Sequence, residues 1–133
     1  ITNLISEFLD IKEENNTPAG QPRYLGLSEN KLVTLEIVGD KEKVAIASIK
    51  LIYPDDIENV SSDLNNAMML RFLKNVAPEI KEWSSSVKDI MNKFSSMQIG
   101  QTKEEDIALQ DKMIKILYDK TAASVTVTAR IRQ

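Results

Sequence analysis

The chain contains no histidine and no cysteine, a single tryptophan and only four glycines. Without histidine there is no Ser-His or Cys-His nucleophile pair and no imidazole general base, and the commonest transition-metal ligand is missing. Without cysteine, disulfides, zinc–thiolate sites and thiol catalysis disappear together. The redox compartment stays open, because a reducing or an oxidising environment suits such a chain equally. The glycines stand singly at 20, 26, 39 and 100, so no glycine-rich loop can cradle a phosphate. No apolar run approaches the ~18 residues of a membrane span, and the chain is expected to be soluble. An excess of one charge is also lacking: 17 basic against 20 acidic residues give a net charge of −3. A mildly acidic chain is not drawn as a whole to phosphate backbones, so general nucleic-acid binding is not expected, although a local basic patch remains open.

What is present is an ordinary globular composition. The 133 residues, 42% hydrophobic and 28% charged, fit one domain that buries roughly two-thirds of its unfolded surface. Ile1, Leu4, Ile5, Phe8, Leu9 and Ile11 recur at helical spacing, which predicts an amphipathic helix over 1–14. "KEENNTPAGQP" has no periodicity and two prolines, and reads as a flexible linker over 15–22. From Tyr24 the period becomes two. "RYLGLS", "LVTLEIV" and "KVAIASIKLIY" predict a three-stranded meander joined by tight turns. Val33, Leu35 and Ile37 share one face of the second strand, and Ala45, Ala47, Ile49, Leu51 and Tyr53 one face of the third.

Pro54 ends that strand, and the acidic "DDIEN" suits a helix start. Val60, Leu64, Ala67, Met68 and Phe72 then give an apolar helical stripe, with Leu73 and Val76 on its shoulder. Pro78 breaks the helix at about Ala77 and opens the next one. There Ile80, Trp83, Val87, Ile90, Met91, Phe94 and Met97 fall at 3.6-residue spacing, and Gly100 stands where a C-terminal cap is expected. "QTKEEDIALQDK" is ambiguous: Leu109, Met113, Ile116 and Leu117 fit a helical stripe, whereas Ile114, Ile116 and Tyr118 alternate as a strand. The β-branched content after Lys112 favours strand. The closing run "KILYDKTAASVTVTARIRQ" reads as a hairpin, with Val125, Val127, Ala129 and Ile131 on one face and Thr126, Thr128, Arg130 and Arg132 on the other. The expected order is α-βββ-αα-ββ: an α+β domain over 23–133, with about five antiparallel strands carrying helices on one face.

The remaining chemistry is carboxylate, lysine, tyrosine and serine. Asp55, Asp56 and Glu58 offer oxygen ligands but lack calcium-loop spacing, and read as helix-start charges. Ser84, Ser85 and Ser86 lie near Lys88 without the signature of a Ser-Lys enzyme. Trp83 falls on the apolar stripe, where core packing competes with a ligand-pocket role. No cofactor or metal is implied. The one feature that asks for a function is the second sheet face, where Lys50 and Lys115 join Thr126, Thr128, Arg130 and Arg132 in a basic stripe. Such a stripe suits an acidic protein segment or another polyanion. A solvated face rich in threonine for its strand propensity is the plainer alternative.

The α-βββ-α-ββ grouping resembles secretion-chaperone-like domains, small acidic dimers that bind extended client segments. The chain departs from their pattern by splitting the central helix at Pro78 and lacking a final helix. A curved antiparallel sheet carrying long helices also resembles TBP-like and helix-grip domains, many of which bind peptides or lipophilic ligands. The first residue is Ile1 rather than Met, and the expectation is a fragment of a larger exported or membrane-anchored protein. The functional expectation is a non-enzymatic binding module, monomeric or homodimeric, with a protein or peptide partner. A secretion-chaperone-like dimer and a lipophilic-ligand carrier are the alternatives.

Overall fold

The computed structural model describes residues 9–14, 23–28, 31–40 and 43–131. Among the described residues, seven strands run as β1 (Leu9–Glu14), β2 (Arg23–Leu27), β3 (Val33–Asp40), β4 (Lys43–Ile52), β5 (Thr102–Ala108), β6 (Lys112–Asp119) and β7 (Ser124–Ile131). Between β4 and β5 lie two helices, α1 (Asn59–Val76) and α2 (Trp83–Ser96). All strand pairs are antiparallel, in the spatial order β1-β2-β3-β4-β7-β6-β5. The α+β class is as expected, while the strand count and the order of elements differ in two places.

At the first, residues Leu9–Glu14 form β1 where the sequence pattern suggested helix. Leu9, Ile11 and Glu13 alternate with Asp10, Lys12 and Glu14, so the segment also carries period two, and pairing with β2 decides between the patterns. Residues 1–8 and the expected linker over 15–22 lie outside the described residues. At the second, Thr102–Ala108 is a strand that the sequence left ambiguous, and it pairs along its length with β6. Leu109, Met113, Ile116 and Leu117 therefore form no helical stripe.

The meander and the closing hairpin have the expected faces. Val33, Leu35 and Ile37 of β3 and Ala47, Ile49 and Leu51 of β4 are buried with Val125, Val127 and Ala129 of β7. The register shifts between Val38 and Gly39, leaving Ala45 unpaired, so Val44 rather than Ala45 enters the core. Gly39 adopts φ 113° there, a backbone that residues with a Cβ rarely take. Both helices cover this inner face, and their buried side chains join those of the strands in one core.

α2 buries Trp83, Val87, Ile90 and Phe94, as its spacing predicts. α1 follows its predicted face only in its second half, where Phe72, Leu73 and Val76 are buried as expected. Its buried residues are Asn65, Met69, Phe72, Leu73 and Val76, whereas Val60 and Leu64 stand 68% and 53% exposed. The helix is thus turned by about one residue, roughly 100°. A polar side chain on the buried face made that face hard to see. Asn65 is fully buried, and its Nδ2 donates to the Ile52 carbonyl at 2.9 Å, which removes the cost of burying the amide. Pro78 ends α1 near Ala77 as expected but does not open α2, which starts five residues later at Trp83. Gly100 likewise is not the cap of α2; Met97 is, and Gly100 turns the chain into β5 with φ 95°.

The C-termini of α1 and α2 are each held by a lysine at one end of β6. Lys112, at the start of β6, is 7% exposed, and its Nζ donates to the Val76 carbonyl at 2.7 Å and meets Glu79 at 3.2 Å. Lys120, just past the end of β6, donates to the Phe94 carbonyl at 3.0 Å and sits 4.2 Å from the Phe94 ring centroid. Both positive charges meet the negative end of a helix dipole, and Lys120 adds a cation–π contact. No described helix is long and apolar enough to cross a membrane.

Candidate functional site

The strand registers settle which side chains share the outer face of the sheet. Lys50 lies opposite Thr126, and Ser48 opposite Thr128. Thr128 in turn faces Lys115, and Arg130 faces Met113. Five of the six residues expected in the basic stripe therefore come together: Lys50, Lys115, Thr126, Thr128 and Arg130. The sixth, Arg132, lies outside the described residues. Lys50, Lys115 and Arg130 are exposed, while Thr126 and Thr128 are half-buried between their neighbours. The Ser48 and Thr128 hydroxyls hydrogen-bond at 3.1 Å, which fixes the middle of the stripe.

The cations follow the pleat of β7. Lys50, Lys115 and Arg130 occupy rows set by residues 126, 128 and 130 of that strand. Successive rows are about 6.6–6.8 Å apart, twice the strand rise. The spacing equals that of alternate side chains on any extended peptide.

The stripe is not uniformly positive. Lys115 has Glu104 at 3.9 Å and lies opposite Asp106 in the β5 register. Among the described residues no carboxylate pairs with Lys50 or Arg130. Beyond β4, Arg23 donates to Glu36 at 2.7 Å, closing that flank with a neutral pair. Asp106, Met113, Lys115, Thr128 and Arg130 line a hollow of about 350 Å³. Sequence reasoning missed Asp106 and Met113 here, because the strand that carries Asp106 was not recognised. The alternation of Lys103, Glu105 and Ile107 with Thr102, Glu104 and Asp106 was the available signal.

The other candidates stay apart from this face. Asp55, Asp56 and Glu58 are exposed in the turn before α1. Among the described residues no three acidic groups gather as a metal site. The Ser86 hydroxyl donates to the Glu82 carbonyl one turn back, at 3.2 Å, and Ser84 and Lys88 line a groove between the helices. Trp83 is 1% exposed, with its Nε1 donating to the Ala77 carbonyl at 2.8 Å, so the indole closes the turn between α1 and α2.

Beside Trp83 a hollow of about 150 Å³ opens between α2 and β5. Glu105 stands at its rim, accepting from Lys93 at 2.8 Å and from the Tyr118 hydroxyl at 2.6 Å. The hydrogen bonds from Lys93 and then from Tyr118 hold the Glu105 carboxyl below its ordinary range. Burial first, and the Glu105 carboxylate second, push the Tyr118 phenol well above its usual value. The three side chains form a strut between α2 and the sheet, with the Glu105 carboxylate accepting from both its partners.

The chain matches no known family model, no curated protein and no solved structure.

Proposed function

We propose that the protein is a non-enzymatic binding module whose open sheet face takes an extended, acidic segment of a partner protein. The observation that carries this reading is the row spacing of Lys50, Lys115 and Arg130 along β7. An extended chain laid over β7 with acidic residues at every second position meets one cation per row. The Thr126, Thr128 and Ser48 hydroxyls within these rows add donors and acceptors for its backbone. The exposed edge of β5 is the less suitable surface. Its sequence TKEEDIA places charges along the strand, an arrangement that discourages edge-to-edge pairing. The hollow beside Trp83, at about 150 Å³, gives little support to a lipophilic-ligand carrier, since such pockets usually hold about 300–1,000 Å³.

The test is fluorescence anisotropy of a labelled peptide with glutamate at alternate positions, titrated with the full chain at low and moderate salt. Saturable binding that weakens as salt rises, and weakens at least tenfold in the Lys50→Gln/Arg130→Gln variant, is the expected outcome. Equal affinity for a peptide carrying lysine at those positions, or no loss in the double variant, refutes the reading.

A further inference from the structure

The helical layer offers a second surface, independent of the open sheet face. On α1, Val60, Leu64, Ala67, Arg71 and Lys74 are all exposed and lie in one line, with intervals of four, three, four and three residues. That is heptad spacing on the side of the helix turned away from the core. Beside this ridge runs an apolar groove of about 450 Å³, lined by Ala67 and Leu70 of α1 and Val87 and Met91 of α2. A ridge holding two exposed branched apolar side chains next to an apolar groove is the kind of surface that monomers rarely leave open.

The ridge is also self-complementary about its own centre. Counting outward from Ala67, Leu64 and Leu70 lie three residues to either side, and Asp63 and Arg71 lie four. Val60 and Lys74 lie seven to either side. Charge divides the same way: Glu58 and Asp63 stand in the first half, Arg71 and Lys74 in the second, and Lys88 lies across the groove from them. A two-fold axis through Ala67 would therefore set Leu64 of one copy against Leu70 of the other, beside the groove. It would also set Asp63 against Arg71 and Val60 along the aliphatic stem of Lys74. The small Ala67 side chain at the crossing lets the two backbones approach closely. An isologous contact requires this arrangement, each residue meeting the symmetry mate of its counterpart. We infer that the protein forms a homodimer through antiparallel packing of α1 against its copy, centred on Ala67, with both open sheet faces pointing outward.

The experiment is sedimentation velocity of the full chain across a dilution series, with three changes on the ridge. Ala67→Glu places two like charges at the axis and is expected to give a monomer that still unfolds cooperatively, because position 67 is exposed. Asp63→Arg and Arg71→Asp are each expected to weaken association roughly tenfold, and the two combined to restore it, since the swapped pair is again complementary. Monomer at every concentration overturns the inference. So does a dimer that Ala67→Glu leaves intact, or a double swap no tighter than the single ones.

Discussion

Lys112 is the sharpest point at which to test the account of this fold. Its ammonium is almost wholly buried, at 7% exposure, yet it meets the Val76 carbonyl at 2.7 Å and Glu79 at 3.2 Å. Replacing it by methionine keeps an unbranched side chain of similar length and removes only the charge and the donors. A hydrogen bond from a charged donor contributes about 1.5–3 kcal/mol, and a cation at a partly buried helix C-terminus up to ~2 kcal/mol. Against these stands the relief of a buried ammonium, which methionine does not need to desolvate. The expected net loss is about 2 kcal/mol. With a urea m-value of about 1–3 kcal/mol per molar, the unfolding midpoint falls by roughly 1 M. Trp83 is the only tryptophan and reports the transition directly. The control is Glu79→Gln, which keeps the Val76 bond and touches a side chain 44% exposed. Exposed ion pairs are worth at most ~1 kcal/mol, and about 0.5 kcal/mol is expected. An unchanged midpoint for Lys112→Met refutes the capping argument. Equal losses in both variants would place the energy in the ion pair rather than at the helix end.

Gly100→Ala isolates backbone strain, because an added Cβ meets nothing within 4 Å while φ is 95°; a loss of about 1–2 kcal/mol is expected in chemical denaturation, and no loss would refute it. Tyr53 and Tyr118 both have phenols raised far above the ordinary 10.0, chiefly by burial. Their contribution is intact below pH 10 and is lost as pH rises above it, when the unfolded chain ionises first. Stability should therefore fall on the alkaline side, and less steeply in Tyr53→Phe, as measured by urea midpoints across that range. Glu105, held below its ordinary 4.5 by Lys93 and Tyr118, contributes above that value and loses its contribution as pH falls below it. Lys93→Met should flatten the acid limb of the same profile.

The legible parts of this chain were those where one physical signal acted alone. β7 alternates valine and alanine with threonine and arginine, and its faces followed directly. α2 keeps its polar residues off its buried stripe, and its core residues were readable one by one. The outer-face cations were legible for the same reason, since period two fixes a face once the strand is known. Reading failed where two signals competed. In α1, Asn65 occupies the centre of the buried face, because the carbonyl that satisfies it lies 13 residues away on β4. That displaced the apparent stripe onto Val60 and Leu64. In β5, four successive charges in TKEEDIA argue against a strand by propensity. An edge position, with one side facing water, tolerates them.

The lysines at the two ends of β6 give that strand a mechanical part in the molecule. Over its eight residues, a span of about 26 Å, it separates the two side chains that grip the helix ends, Lys112 at its first position on α1 and Lys120 in the turn just after its last on α2. Neither helix can peel from the sheet without releasing a charged grip at one end of the same strand, and β6 is itself paired on both sides. Shearing β6 out of register would slacken both grips at once. The helical layer and the sheet therefore share one clasp, and amide exchange in α1, α2 and β6 should report a single opening event rather than three.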